Sequence, residues 1–293
     1  MNELLMTGGS GLVGSQLGPM LTDRFQVVTI GRTKPNWSRN HLTCDFSTPW
    51  ESPVLPQSYH TLVHLAQSDH FREFPEKAEA IFDTNVRTLI KLLEHARKSE
   101  VKRVVLASSG GVYGYGKESF AESDLLKARD DLGFYLGTKF AAEILASNYT
   151  QYFDLIILRF FFIYGPGQKP GMLIPRLIKA VDEGRAITLQ GDNGIRLNPI
   201  YVEDAASAVE QALQLDGFHR INIAGPEAVT LRTLCGTIGS ILGKVAVFSV
   251  DDSTEPKHLV GDISQMGSKL GIPRTGLGQG LKSAIVAMKP GKQ

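Results

Sequence analysis

Cysteine is nearly absent from this chain. Two residues among 293, Cys44 and Cys235, form no C-x-x-C pair or other metal-ligand spacing. No zinc site and no disulfide framework can be read from them, and a reduced, cytoplasmic setting is the simpler expectation. Excess charge is also missing. Thirty-one basic residues stand against 30 acidic ones, for a formal charge of +1. That balance argues against a nucleic-acid binder, which carries a basic surface. No apolar run reaches the roughly 18 residues that suggest a membrane span. The longest, over 155–163, is interrupted by Arg159. The N-terminal MNELLMTGG lacks the basic-then-apolar pattern of a signal peptide. Repeats and low-complexity segments are absent too.

What is present is a rhythm. Short apolar runs over 4–7, 26–30, 61–65, 101–107 and 155–160 alternate with helical patterns over 11–21, 76–98 and 134–149. Strands apolar on both faces and separated by helices imply an α/β fold with a doubly wound parallel sheet. After a Gly/Pro cluster at 165–171 the rhythm loosens. Segments 197–201 and 220–223 read as short strands that return to the first sheet, with helix 202–215 between them. The expected division is therefore a nucleotide-binding domain over 1–165, rejoined by 197–223. A smaller C-terminal substrate lobe takes 166–196 and 224–293.

The first strand runs into Gly8-Gly9-Ser10-Gly11-Leu12-Val13-Gly14. In this G-x-x-G-x-x-G, Gly8 permits a tight turn and Gly11 lets a pyrophosphate approach the backbone. Gly14 lets the following helix pack closely. Free N–H groups at the helix start suit a diphosphate. The second strand ends Ile30-Gly31-Arg32-Thr33-Lys34 without the carboxylate that would bind the 2′-OH of NAD. Arg32, with Lys34, fits the 2′-phosphate of NADP, so NADP is the expected cofactor and NAD the alternative. The same arginine also suits stacking on adenine or a place in solvent. Asp45, after a further short strand, is placed to accept from the adenine amino group or to sit in an exposed loop.

Tyr135 and Lys139 stand four residues apart on a helix, and so on one face of it. A nearby ammonium is expected to lower the tyrosine pKa from about 10 and make the pair an acid/base. The strand over 101–107 ends in Ser108-Ser109-Gly110-Gly111, at the strand end that faces a ligand crevice. Ser109 there can orient a substrate oxygen.

Taken in order, these signals resemble the extended short-chain dehydrogenase/reductases, the group of nucleotide-sugar epimerases, dehydratases and reductases. The resemblance runs through residues 7–14, His64-Leu65-Ala66, Asn85, 108–114 and 135–139. It continues through Leu158-Arg159 with Tyr164-Gly165-Pro166-Gly167, Gly191-Asp192 with Arg196, and Tyr201-Val202-Glu203-Asp204. It implies a Rossmann-type sheet with a substrate lobe, and Ser109, Tyr135 and Lys139 as the catalytic set. The cofactor would touch Gly8, Ser10, Gly11, Leu12, Val13, Gly14, Arg32, Asp45, Leu65, Ala66, Ser108, Tyr135 and Lys139. Ser109, Gly110, Phe162, Arg176 and Arg196 would touch a sugar-nucleotide substrate. A homodimer packed through helices 76–98 and 134–149 is implied as well.

Two departures narrow the expectation. Phe162 stands where many relatives carry an asparagine against the substrate, and phenylalanine has no hydrogen bond to offer. Gly110 and Gly111 replace the acidic pair of the family's 4,6-dehydratases, which argues against dehydration and leaves open space beside the nicotinamide. Arg176 and Arg196 suit a substrate diphosphate or a solvated surface equally. His64 reads as structural, and His70 as an ordinary polar loop residue. The favoured reading is an NAD(P)-dependent sugar-nucleotide epimerase or 4-keto reductase. A non-catalytic NADP(H) sensor and a reductase of a non-sugar ketone are the alternatives.

Overall fold

The structure is a computed structural model that describes residues 2–51, 55–116, 119–126 and 132–288. Strand β1 (Asn2–Thr7) leads into α1 (Leu12–Leu21), followed by β2 (Phe25–Gly31), β3 (Asn40–Thr43) and β4 (Thr61–His64). Helix α2 (Ala78–Phe82), a π-helical turn (Asp83–Arg87) and α3 (Thr88–Lys98) together fill the region read as one helix. Then come β5 (Arg103–Ser109), a 3-10 turn (Gly110–Tyr113), β6 (Ser119–Phe120), α4 (Phe134–Ser147), β7 (Asp154–Phe160) and β8 (Ile163–Tyr164). Helix α5 (Leu173–Asp182) precedes β9 (Ile187–Gln190), β10 (Arg196–Leu197), β11 (Ile200–Tyr201), α6 (Val202–Ala212) and β12 (Phe218–Ile223). The chain ends through β13 (Val229–Thr230), α7 (Leu231–Leu242), β14 (Phe248–Asp251), β15 (Val260–Gly261), α8 (Ser264–Lys269) and α9 (Leu277–Met288).

Seven strands form one parallel sheet in the order β12-β7-β5-β4-β1-β2-β3. Alternation along each strand sends neighbours to opposite faces. Leu4, Met6, Val105 and Ile156 pack on one side with Leu17 of α1 and Val209 of α6. Leu5, Val104, Leu106 and Ile157 pack on the other with Leu92 of α3 and Ala146 of α4. Helices on both faces explain why these strands read as unbroken apolar runs. A separate core under α5, α7 and α9 gathers Ile178, Leu189, Leu234 and Leu281. No helix among the described residues is long and apolar enough to cross a membrane.

One strand expectation is corrected. Segment 197–201 does not rejoin the main sheet. Its first part belongs to β10, which pairs antiparallel with β13, and its end forms β11, which pairs with β8. Asn198 and Pro199 separate them. Asn198 is buried and spends its amide on Gly225 O, Gly261 O and Gly261 N, so it closes a corner rather than extending a strand. By contrast β12 lies at the sheet edge beside β7.

Candidate active site

The site lies at the C-terminal ends of the parallel strands. Gly8 adopts φ +71°, a left-handed conformation that favours glycine, and a Cβ there would sit 2.7 Å from Ala66 N. Leu65 and Ala66 are thus pressed against the loop. Thr7 fixes that contact, since its Oγ1 accepts from Ala66 N (3.1 Å) and lies 2.7 Å from His64 Nδ1. A Cβ on Gly14 would meet Gly8 O at 2.2 Å. Gly11 is the N-cap of α1 and brings no side-chain cap to the first-turn N–H groups. Ser10 and Gly11 are exposed, while Val13 turns its side chain into the core and leaves only backbone for the groove. This glycine cradle under an uncapped helix start fits a pyrophosphate, and hence a dinucleotide.

At the end of β2, Arg32 is not free. Its guanidinium pairs with Asp69, whose other oxygen receives Lys169 Nζ at 2.5 Å. Asp45 is exposed and its Oδ1 accepts from Ser47 N (2.9 Å) and Ser47 Oγ (2.7 Å). That oxygen is therefore engaged within its own turn, which limits what Asp45 has to offer an adenine amino group.

Helix α4 carries Tyr135, Lys139 and Glu143 on one face. Tyr135 donates its phenolic proton to Gln67 Oε1 at 2.6 Å, and the Phe71 ring stands 5.5 Å from its own. Lys139 is buried and donates to Ala107 O at 3.0 Å. The expected lowering of the tyrosine pKa is not what this geometry gives. Burial holds Tyr135 above the usual phenol range. Burial likewise pushes Lys139 down to about 8, against the opposing pull of Glu143. In this arrangement Tyr135 is a neutral phenol, which is a proton donor.

Ser109 ends β5, where its Oγ accepts from Gly111 N (3.1 Å) and so caps the 3-10 turn. Ser108 points the other way. It is buried and donates to Glu143 Oε1 at 2.5 Å, which commits its hydroxyl to the interior instead of the cofactor groove. Glu143 also takes Arg159 through Nε (3.1 Å) and Nη2 (2.7 Å). Arg159 Nη1 donates to Tyr113 Oη, which donates to Asn222 Oδ1. A buried polar chain thus runs from α4, beside Lys139, across β7 to β12.

On the substrate side the expected open space at Gly110 and Gly111 is filled. A Cβ on Gly110 would lie 2.4 Å from the Phe161 ring, and one on Gly111 would lie 2.7 Å from Leu136. At each position a neighbouring side chain packs where a Cβ would stand. Phe162 has φ +44°, unusual for a bulky residue, and packs against two clusters at once. Arg196 lines an open cavity of about 530 Å³ with Ser119, Asn198 and Asp262. None of Ser109, Tyr135 and Lys139 lines that cavity, and neither does Arg176, which lies exposed on α5. Among the described residues no three His, Cys, Asp or Glu side chains gather as metal ligands.

Sequence reading missed Gln67, Asp69, Lys169 and Glu143. Glu143 was findable, because it continues the four-residue step from Tyr135 through Lys139. The others meet their partners across 37 to 100 residues of chain, which local patterns do not encode. Asn85, from the π-helical turn, ties the groups together. It accepts from Ser68 N (2.9 Å) and donates to Thr138 Oγ1 (3.0 Å), which bonds Tyr135 O.

The chain is similar to several known proteins. A Bacillus subtilis protein described as an uncharacterized UDP-glucose epimerase, YtcB, is 32% identical, covering 97% of this chain and 96% of its own. A dTDP-4-dehydro-6-deoxy-D-allose reductase from a Streptomyces species is 27% identical over 95% and 94%. The solved structure of UDP-glucuronic acid 4-epimerase from Bacillus cereus, in complex with UDP-glucuronic acid and NAD, superposes with a TM-score of 0.85 at 26% identity, covering 98% of this chain and 99% of that one. The model of the NAD-dependent epimerase/dehydratase family matches residues 4–224, and the chain belongs to that family.

Proposed function

We propose that this enzyme is a 4-epimerase of a UDP-sugar, working with NAD and using Tyr135 as its acid/base. The observation that carries the reading is the single face of α4 bearing Tyr135 and Lys139 beside the cofactor cradle, with Ser109 at the end of β5. The dinucleotide, when bound, supplies the hydride acceptor and donor. Ser109 holds the reacting sugar oxygen by a hydrogen bond. Tyr135 exchanges a proton with that oxygen as hydroxyl becomes ketone and returns. For the proton-accepting half Tyr135 must first give up its phenolic proton, which burial opposes and which the positive charge of an oxidised nicotinamide, when bound, would favour.

NAD is favoured over the NADP expected from Arg32 alone, because the Arg32 guanidinium already carries a carboxylate. The epimerase in complex with NAD and UDP-glucuronic acid supports the same choice. The reductase relative supports a second reading, reduction of a 4-keto sugar nucleotide. Exposed Phe82, Ile144, Leu145 and Tyr152, on α2, on α4 and just beyond α4, support a homodimer packed through that face.

The test is incubation with UDP-glucose and with UDP-glucuronic acid, each with NAD, followed by NMR of the sugar. C4 inversion is expected for one of them. The Tyr135→Phe variant should still bind NAD but lose turnover by about 10²–10⁴-fold. Near-full activity in that variant would refute the role of Tyr135. Turnover of 4-keto sugar nucleotides alone, with NADPH consumed, would select the reductase.

A further inference from the structure

Two separate segments converge on the carboxylate of Asp69. Arg32 reaches it from the end of β2, and Lys169 reaches it from the loop between β8 and α5. The loop that carries Asp69 is itself anchored. Ser68 N donates to Asn85 Oδ1 at 2.9 Å, and Arg72 Nη1 donates to Gly171 O at 2.9 Å. His70 is paired with Glu73 at 3.1 Å. Asp69 is therefore held in place on both sides, and its contact with Arg32 is a built feature of this loop.

The end of β2 is where a 2′-phosphate or 2′-hydroxyl of adenosine ribose lies in a dinucleotide fold. A 2′-phosphate gains most from an open guanidinium fork and is repelled by an anion beside it. Here the fork is occupied. Asp45 adds a second negative charge close enough to feel Arg32 and His70. A 2′-hydroxyl is neutral and meets no such conflict.

We propose that Asp69 sets cofactor preference, by occupying the Arg32 guanidinium and so turning a groove with a basic residue at the NADP position into one that takes NAD. The assignment rests on the reading of the Gly8–Gly14 groove as the dinucleotide site. Lys169 extends the consequence into the substrate lobe, since the loop it belongs to shares the same carboxylate. Arg32, Asp69 and Lys169 side chains are 52%, 41% and 71% exposed. Water therefore screens the pair, and the effect is a shift of preference instead of an absolute switch.

The experiment titrates nucleotide-stripped protein with NAD and with NADP by calorimetry. The proteins are wild type, Asp69→Asn, Arg32→Ala and the double variant. Wild type is expected to favour NAD. Asp69→Asn should raise the NADP-to-NAD affinity ratio about tenfold, because the 2′-phosphate then accepts a charge-assisted hydrogen bond from Arg32 and no longer faces the Asp69 charge. That rise should vanish when Arg32 is alanine. A ratio within twofold of wild type in Asp69→Asn overturns the proposal, and so does an equal rise without Arg32. If wild type binds neither nucleotide, the dinucleotide reading itself falls. If wild type binds NAD and Asp69→Asn leaves the ratio unmoved, only the role of Asp69 falls.

Discussion

Replacing Glu143 by glutamine removes one charge from a pair that water does not reach. Both side chains are 2% exposed, and Glu143 takes two directions of the Arg159 guanidinium plus the Ser108 hydroxyl. Isolating a buried cation in this way costs roughly 3–5 kcal/mol, well above the worth of one neutral hydrogen bond. Against a typical total of about 5–15 kcal/mol the variant remains folded at low temperature but loses a large share of its margin. Urea denaturation of wild type and Glu143→Gln measures the difference. A second consequence is independent of folding. Glu143 supports the charge on Lys139, which burial already pushes down to about 8. Without the carboxylate, Lys139 gives up its proton at lower pH, so the alkaline limb of the activity profile should move down. A destabilisation below about 1 kcal/mol, or an unmoved alkaline limb, would refute the reasoning. The pair Glu143→Leu with Arg159→Met gives a further check. It removes both charges and should be markedly more stable than Glu143→Gln; equal losses would mean that buried charge is not the cause.

His64 makes an acid-stability prediction. Burial, with the Lys139 charge, pushes it down to about 3. Its folded pKa lies below the unfolded value of about 6.5, so its contribution is present above that value and is lost as pH falls toward 3. The slope is at most about 1.4 kcal/mol per pH unit, and His64→Asn should flatten the wild-type curve by up to that amount between about pH 6 and pH 4; parallel curves would count against it. Phe162→Asn places a residue that tolerates φ +44° where a hydrogen bond to substrate becomes available. The KM for UDP-glucuronic acid should fall about fivefold with kcat little changed, and an unchanged KM would remove Phe162 from the substrate surface. Two glycines near Tyr135 should respond in opposite directions. Gly110→Ala drives a Cβ into the Phe161 ring and should cost about 1–3 kcal/mol, whereas Gly137→Ala meets nothing within 4 Å inside α4 and should stabilise by roughly 0.5–1 kcal/mol. Thermal unfolding of both variants decides it.

The parallel sheet and the phosphate turn were legible because each is written locally. An apolar run such as 101–107 must be covered on both faces, and Gly8 and Gly14 answer to steric demands that no other residue meets. Tyr135 and Lys139 were legible for a similar reason, since a four-residue step fixes their common face. What stayed hidden depends on which loops meet. Arg32 read alone suggested NADP, because a sequence shows a guanidinium but not the carboxylate 37 residues away that occupies it. The same limit applies to Gly110, whose missing side chain read as open space until Phe161 was found in it. Ser108 and Ser109 make the point most sharply. They are adjacent and chemically identical, yet strand alternation sends one inward to Glu143 and leaves the other half-buried at the strand end. Ser108 stands opposite Arg159 in the pairing of β5 with β7, and alternation turns its hydroxyl toward the Arg159–Glu143 pair while Ser109 keeps the other face. The buried ion pair thus engages Ser108 from α4, the helix that also carries Tyr135 and Lys139, with both of its side chains 2% exposed.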